Sequence, residues 1–574
     1  MLMRIEFGLV LLSVALAFTL PALGSNLFQR TEQILSELAR RRKLSVLIVA
    51  VAAVCARAAV LPVLPVPQPY ITDEFSHLLL ADTLAHGRLT NPTPAMWTHF
   101  ETIHVIMQPT YASMYPPAQG VALAIGKVLT GHPFVGVCLS VAAMCAAICW
   151  MLQEWMAPGW ALLGGLLVVM RLGIFSYWAD SYWGGAVAAT GGALVLGALP
   201  RIIRFERARD AALMALGLTL LANSRPYEGL VFSIPIGAAF VFWFFRKQGA
   251  AFFLATRRVL APLALVLILA ALATGYYCWR VTGNPLRMPQ QVNRDTYAIA
   301  PYFLWQSPRP TPVYRYHVIR SYYLYDELDF YRHNRSAVQI AGLPFVKLVN
   351  IWFFFVGPVL TLPLVMIVTA SPYGFSLARL SRRVRFLILV GAFFMAGLAI
   401  EVYFYPHYAA PATCLIFAFV LIAMRQVRAW EHRGRPVGIF LTRAVPTICL
   451  LMLALRAGAA PLHLTLLPES PPAWYNMPPI STDRVRIVSE LDAISGNQLV
   501  LVRCKPQTFV TKREWQWVYN EPDIDKAKIV WAWDLGPAEN RELLDYFRGR
   551  RVWLLEPDDD PLKLEAYGAQ NQIQ

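Results

Sequence analysis

A succession of long apolar runs, separated by short polar segments, constrains this chain more than any other feature of its sequence. Hydrophobic residues make up 57% of the 574 residues and charged residues only 15%, whereas about a quarter of the residues in a soluble domain are charged. A helix needs about 20 apolar residues to cross the hydrocarbon core of a bilayer. The sequence therefore predicts a mainly α, polytopic bundle of about 12 membrane-spanning helices. The predicted spans cover residues 7–23, 45–64, 134–152, 160–176, 185–199, 211–223, 230–245, 259–277, 346–369, 386–402, 411–424 and 438–456.

Basic residues give this bundle a predicted orientation. The net charge is +16, and the Lys and Arg residues cluster between the apolar runs, as in Arg40–Lys43 and Arg201–Arg209. Such clusters lie on the cytoplasmic side of membrane proteins. The rule places two long loops, 65–132 and 278–344, and the tail after residue 460 on the outer side. No basic stripe with interleaved aromatic residues lies in a soluble segment, so the charge does not indicate a nucleic-acid partner.

The first 44 residues are predicted to form a unit of their own. Residues 7–23 have the length of a signal peptide, and small residues follow at Ala22–Ser25. Cleavage and translocation would leave the basic cluster Arg40–Lys43 outside, against the orientation rule. We therefore expect a retained span with its N-terminus outside, followed by an amphipathic cytoplasmic helix over residues 26–43.

The end of the chain has the composition of a soluble domain. After the main transmembrane domain, 45–460, residues 481–574 show alternating helical and strand patterns. The predicted elements are helices over 483–494 and 538–547 and strands over 498–503, 528–533 and 551–555. They indicate a small α/β domain on the periplasmic side. Within the first outer loop, the apolar stretch 118–130 is too short to span and contains Lys127, which predicts a helix at the outer interface.

Several charged residues occur where a bilayer should exclude them or just outside it. Arg57 lies in the middle of the second span, and Arg171 lies near the outer end of the fourth. Charged residues at such positions pair inside the bundle or mark a functional site. Asp73 and Glu74 open a helix after a Pro-rich exit from the second span, with Thr72 as the expected N-cap.

Further acids, cations and aromatic residues follow in the short outer loops. Short loops hold side chains near the outer ends of their helices, so a bundle can gather them around one cavity. These residues are Asp180, Arg225, Glu228, Tyr405 and His407. Carboxylates beside cations suit the transfer of a group from a lipid phosphate to a hydroxyl, because one carboxylate takes the acceptor's proton and the cations hold the leaving phosphate.

In this chemistry Asp73 or Glu74 is the expected base, and Asp180 is expected to bind the acceptor or to orient a cation. The residues expected to meet the phosphate are Arg171, Arg225 and His407. A divalent metal ion is a further option that the sequence leaves open. Its candidate ligands are Asp73, Glu74, His99 and Glu101, with His104 nearby. The spacing of the two histidines and Glu101 matches no strong motif, and a surface cluster is the alternative.

The order of these motifs resembles the GT-C glycosyltransferases. Arg57 in the first bundle span is followed by Asp73–Glu74, then by Met114–Pro117 before the interfacial helix, and later by Tyr405–Pro411. The likeness covers roughly residues 45–456. It is closest to glycosyltransferase family 39, the branch of the protein O-mannosyltransferases and the bacterial aminoarabinose transferases.

The resemblance implies a polyprenyl-phosphate-linked monosaccharide as donor, a hydroxyl acceptor, and transfer with inversion on the periplasmic face of a bacterial inner membrane. It gives Asp73 the place of the family's first-loop acid, the expected base or metal-proximal carboxylate, with Glu74 in support. Asp180 takes the place of the second-loop acid. The residues expected to bind substrate are Arg57, Arg171, Tyr115, Arg225, Glu228, Tyr405 and His407. The sugar stays open, and so does the acceptor, whether glycan, lipid or protein.

Two other functions fit parts of the sequence. A transporter or flippase of a lipid-linked saccharide needs polar groups that reach both sides of the membrane, and often internal symmetry. The inner loops carry few acids, and no inverted repeat is evident. A scaffold that binds a partner through its periplasmic tail is the third possibility, and deletion of residues 481–574 tests it. The glycosyltransferase is the leading hypothesis.

Overall fold

The computed structural model is mainly helical and describes residues 1–369, 380–459, 461–462, 464, 472–475, 483–505, 515–559 and 561–568. Within these ranges, eight helices are long and apolar enough to cross a membrane. They are Leu2–Thr19, Pro133–Trp155, Ala186–Phe205, Pro226–Phe245, Gly249–Thr282, Gly342–Val368, Pro406–Arg428 and Val437–Gly458. The expected mainly α, multi-pass membrane protein is thereby confirmed.

Each of the other four predicted spans also coincides with a helix, although these helices are shorter or carry more charged residues. They are Arg42–Ala59, Pro158–Leu172, Ala208–Ala222 and Arg382–Ala399. The side of the membrane on which each loop lies stays a prediction. Part of the basic loop expected after residue 369 falls on residues 370–379, outside the described residues.

The helices and strands follow one another along the chain with short connections except at the two outer loops. The α-helices are α1 (Leu2–Thr19), α2 (Ser25–Arg40), α3 (Arg42–Ala59), α4 (Thr72–Ala85), α5 (Pro117–Thr130), α6 (Pro133–Trp155), α7 (Pro158–Leu172), α8 (Ala186–Phe205), α9 (Ala208–Ala222), α10 (Pro226–Phe245), α11 (Gly249–Ala255), α12 (Ala261–Thr282), α13 (Pro289–Tyr297), α14 (His317–Ser321), α15 (Asp329–Asn334), α16 (Ala337–Ile351), α17 (Gly357–Thr369), α18 (Arg382–Ala399), α19 (Thr413–Arg428), α20 (Val437–Gly458), α21 (Asp483–Ala493) and α22 (Pro537–Tyr546). Single π-helical turns occur at Thr256–Leu260, Tyr322–Leu328 and Trp352–Val356, and 3₁₀ turns at Trp97–Phe100 and Pro406–Ala412. The strands are β1 (Val105–Ile106), β2 (Ala112–Ser113), β3 (Gln498–Val502), β4 (Ile529–Trp533), β5 (Arg551–Leu555) and β6 (Leu564–Ala566).

Glycine residues let several helices approach at backbone contact. A Cβ atom on Gly126 would lie 2.0 Å from the backbone nitrogen of Gly136, so α5 and α6 touch without intervening side chains. A Cβ atom on Gly192 would lie 2.0 Å from the carbonyl oxygen of Pro411. Small residues serve this purpose in membrane bundles, where close packing replaces the hydrophobic driving force.

The N-terminal helix α1 is packed into the bundle, against α17 and α20. Its Glu6 is fully buried and forms a 2.9 Å ion pair with Arg171 of α7. Trp474 donates its indole N–H to the other oxygen of Glu6 at 3.2 Å. The amphipathic helix predicted over 26–43 is α2, which is held by ion pairs from Glu32 to two arginines of the later helices.

The C-terminal segment forms a four-stranded sheet in the order β4–β3–β5–β6, in which β3 is parallel to β4 and β5, and β6 is antiparallel to β5. The predicted helices and strands lie within two residues of their observed bounds, and β6 was missed. Residues 481 and 482, at the predicted domain boundary, lie outside the described residues.

This sheet lies directly on the first outer loop. The indole N–H of Trp533 donates to the carbonyl oxygen of Glu101 at 2.7 Å. The hydroxyl of Tyr519 donates to the carbonyl of Ile103 at 2.9 Å, and its ring stacks on Phe75 of α4 with the centroids 4.4 Å apart. The C-terminal segment therefore covers the elements that carry Asp73.

Candidate active site

A cavity of about 1480 Å³ lies among the outer ends of the helices and the two outer loops. It collects several of the residues that the sequence predicted to converge. Those that line it are Asp73, Tyr115, Arg225, Glu228, Tyr405 and His407. The convergence of four separate outer segments thus has a structural basis.

Asp73 presents a partly exposed carboxylate to this cavity. It is the second residue of α4, where the helix dipole favours negative charge. Tyr115 donates its hydroxyl to Oδ1 at 2.5 Å, and Thr72 donates to Oδ2 at 3.3 Å. About a quarter of the Asp73 side chain is exposed. The N-cap position falls on Ile71 and not on Thr72 as predicted, because the Thr72 hydroxyl is engaged by Asp73 and His104.

Glu74, the neighbouring acid, is buried and faces away from the cavity. Its carboxylate accepts backbone N–H bonds from Tyr70 (2.9 Å), Ile71 (3.2 Å) and Tyr182 (3.0 Å). Burial raises the pKa of Glu74 to about 7, against the effect of these three donors. Glu74 therefore ties the start of α4 to the loop that contains Asp180, and Asp73 is the acid that faces the cavity.

Arg57 and Asp180 form an ion pair of 2.8 Å and are almost fully buried. Arg57 also donates to the carbonyl oxygens of Ala179 (3.2 Å) and Leu64 (3.0 Å). Neither residue lines the cavity. The expected contacts of Arg57 with substrate and of Asp180 with acceptor are corrected accordingly, because each side chain neutralises the other inside the protein.

Arg171 requires the same correction. It was predicted to meet the phosphate near Asp180, but its guanidinium pairs with Glu6 and donates to the carbonyl oxygen of Val356 at 2.8 Å. It lies over the ring of Trp474 and does not line the cavity. The sequence gave no sign of this pairing, since Glu6 belongs to the first predicted span.

Two buried arginines line the cavity, each with an acid and a tyrosine ring. Arg225 lies 3.6 Å from Glu228 and over the ring of Tyr408. Arg294 of α13 pairs with Glu327 at 2.7 Å and lies 4.1 Å from the ring centroid of Tyr302. The second group was missed. Its only sequence signal was the abundance of Tyr and Arg in the loop 278–344.

A lysine and an acid at another wall of the cavity were also missed. Lys347 of α16 donates to the carbonyl oxygens of Leu398, at 2.5 Å, and of Glu401. The side chain of Glu401 is buried, and its Oε2 atom has no hydrogen-bond partner within the protein. Burial raises the pKa of Glu401 well above its usual value. Neither residue belongs to a motif, so only the three-dimensional structure identifies them.

His407 is held in one orientation at the cavity wall. The backbone N–H of His407 donates to the hydroxyl oxygen of Tyr177 at 3.2 Å, and that hydroxyl lies 2.9 Å from His407 Nδ1. Because the tyrosine oxygen already accepts a proton donor, its own proton goes to Nδ1 and leaves Nε2 as a donor. The rings of Trp183 and Tyr405 pack on either side.

The expected metal ligands do not come together. His99 Nδ1 lies 3.1 Å from the carbonyl oxygen of Trp533. Glu101 pairs with Arg315 at 2.6 Å and accepts from the hydroxyl of Tyr297. No three His, Cys, Asp or Glu side chains are placed to hold a metal ion in the part of the chain that the structure describes. The residues present do not fit a metal centre, and no step is assigned to one.

Comparisons with known proteins give two similar folds. No protein-family model matches the sequence, and no curated protein does. Among solved structures, the chain is similar to the Archaeoglobus fulgidus oligosaccharyltransferase complexed with Zn and sulfate, with 12% identity over 89% of this chain and 67% of that chain and a TM-score of 0.45. The same enzyme tethered with an acceptor peptide containing the NVT sequon shows 9% identity over 90% and 68%, with a TM-score of 0.43.

At such low TM-scores, the assignment of a function depends on the cavity itself, and the resemblance to family 39 stays a prediction. The cavity brings together one accessible carboxylate, two buried guanidinium groups, an ammonium group and several tyrosine hydroxyls. A carboxylate can accept a proton, and cations and hydroxyls can hold an oxyanion. This is the equipment for group transfer with an anionic leaving group.

Proposed function

We propose that this protein is an integral-membrane glycosyltransferase of the GT-C type. It moves a monosaccharide from a polyprenyl-phosphate donor to a hydroxyl acceptor at the periplasmic face of a bacterial inner membrane. One observation carries the proposal: the accessible carboxylate of Asp73 shares a cavity with Arg225 and Arg294, at the outer ends of membrane-spanning helices.

In the proposed reaction, Asp73 accepts the proton of the acceptor hydroxyl while the hydroxyl oxygen attacks the anomeric carbon of the sugar. The bond between that carbon and the phosphate oxygen breaks, and polyprenyl phosphate leaves with the electron pair. Direct displacement inverts the anomeric configuration. Arg225 and Arg294 stabilise the departing phosphate, although Glu228 and Glu327 offset part of their charge.

The position of the cavity supports a lipid as donor. Leu343 and Val346 of α16 contribute to its wall, and about half of the Val346 side chain is exposed on the helix surface. In a bilayer, an exposed apolar residue on such a helix faces lipid. A polyprenyl chain can therefore remain in the membrane beside α16 while its phosphate enters the cavity.

The test is transfer of label by the purified protein in lipid vesicles that contain a radiolabelled polyprenyl-phosphate sugar and bacterial envelope lipids and glycans as acceptors. The Asp73→Asn variant should bind the donor but lose transfer by at least about 100-fold, the scale of general-base catalysis. Asp329→Asn, at an exposed position of α15, is the matched control and should transfer normally. Full transfer by Asp73→Asn would refute the proposal.

A further inference from the structure

His104 lies behind Asp73 and contacts every hydroxyl that holds it. Its Nδ1 atom is 2.9 Å from the hydroxyl of Thr72 and 3.2 Å from that of Tyr115. These two hydroxyls donate to the two carboxylate oxygens of Asp73. On the other side of the ring, Nε2 lies 3.0 Å from the hydroxyl of Tyr322.

The proton inventory of this group permits one arrangement that satisfies all of its contacts. Tyr115 has a single hydroxyl proton, and the 2.5 Å bond to Asp73 uses it. The Tyr115 oxygen can then only accept, so His104 carries its proton on Nδ1. Nε2 is left as an acceptor for the hydroxyl of Tyr322. All the donors of the chain therefore point toward the carboxylate of Asp73.

The backbone of His104 is fixed as firmly as its ring. It adopts a φ of 64°, which is rare for a residue other than glycine and persists where the surroundings enforce it. Ser76 donates its hydroxyl to the His104 carbonyl at 2.7 Å, and the N–H of Met114 donates to the same oxygen at 3.2 Å. Burial lowers the pKa of His104, which keeps the ring neutral and consistent with one donor and one acceptor nitrogen.

We propose that His104 is a positioning residue that holds Asp73 in its reactive orientation through the hydroxyls of Thr72 and Tyr115. Tyr322 in turn sets the His104 tautomer. The inference rests on the proposed role of Asp73 as base. It gives His104 a function other than the metal binding that the sequence suggested, and it explains why Asp73 has its second carboxylate face free for the cavity.

Two amide substitutions separate the two sides of the ring. An asparagine at position 104 can place its N–H where Nδ1 lies, and a glutamine can reach the position of Nε2. His104→Asn should keep kcat within about threefold of the wild type, because the hydroxyls of Thr72 and Tyr115 keep their donor. His104→Gln and His104→Ala should lower kcat by about 10- to 100-fold, the usual effect of losing an orienting partner. KM for the labelled donor should stay within about twofold in all three variants.

Equal kcat values for the Asn and Gln variants would overturn the proposal, as would a rise in KM with unchanged kcat. His86→Asn, at an exposed position of α4, is the control for substitution of a histidine near the site. If His104→Ala fails to fold, the comparison of Asn with Gln at equal thermal midpoints still decides.

A thermal double-mutant cycle distinguishes failure of this inference from failure of the proposed function. If the wild type transfers no sugar, the proposed function fails, but the cycle can still be measured. The losses of thermal midpoint in His104→Ala and Asp73→Asn should be smaller together than their sum, because both variants disrupt one hydrogen-bond chain. Additive losses would show that His104 does not act on Asp73, whatever the protein transfers.

Discussion

The Arg57–Asp180 ion pair gives the sharpest prediction about the stability of the bundle. Asp180→Asn keeps the shape of the side chain but leaves the Arg57 guanidinium, which is 2% exposed, without its counter-charge. Removing one partner of a buried pair costs about 3–5 kcal/mol. With an unfolding entropy of about 2.1 cal/mol/K per residue for 574 residues, the thermal midpoint should fall by about 3–4 °C.

The assay is thermal unfolding of the purified variants in detergent, followed by the fraction that remains monodisperse. Arg57→Met should lose a similar amount, because it leaves Asp180 and two carbonyl oxygens without their donor. The double variant Arg57→Met with Asp180→Leu should recover most of the loss, since an apolar pair replaces a buried ionic one at little cost. A normal midpoint for Asp180→Asn together with abolished transfer would refute this reasoning and restore Asp180 to the chemistry.

Three further outcomes are expected. Glu6→Gln should lower the thermal midpoint by a similar amount, since it leaves Arg171 as a buried, unpaired charge; an unchanged midpoint would contradict the integration of α1. Burial lowers the pKa of His77 to about 4. The unfolded chain binds that proton first, so stability is fully present above about pH 6.5 and is lost as the pH falls toward 4, and His77→Gln should show a smaller loss in melts across this range. Deletion of residues 481–574 uncovers Phe75 and the first outer loop and should abolish folding in expression trials; undiminished transfer by the truncated protein would make the tail accessory.

Local sequence patterns were sufficient for the elements of the fold. Apolar runs located all twelve expected spans as helices, and alternating patterns located the strands β3, β4 and β5. Each of these elements is specified by its own residues, through helical or strand periodicity. The strand β6 was missed because it has three residues and pairs only at the sheet edge, too short a segment for periodicity to detect.

The partners of charged residues could not be predicted in the same way. Arg57 and Asp180 are 123 residues apart, and Glu6 and Arg171 are 165 residues apart. Single residues separated so widely leave no pattern in one sequence, so a buried arginine near an acid was read as part of a substrate site. The common placement of Asp73 and Arg225 at one cavity was predictable, because short outer loops restrict where their side chains can go.

An experimental structure of the protein in lipid with a bound polyprenyl-phosphate sugar tests the central claim most directly. We predict that the phosphate lies within hydrogen-bond distance of Arg225 or Arg294. The anomeric carbon should face an acceptor position about 3–3.5 Å away that is also within reach of the Asp73 carboxylate, as direct displacement requires. A donor whose phosphate lies elsewhere, or whose sugar leaves Asp73 out of reach of any acceptor hydroxyl, would contradict the account.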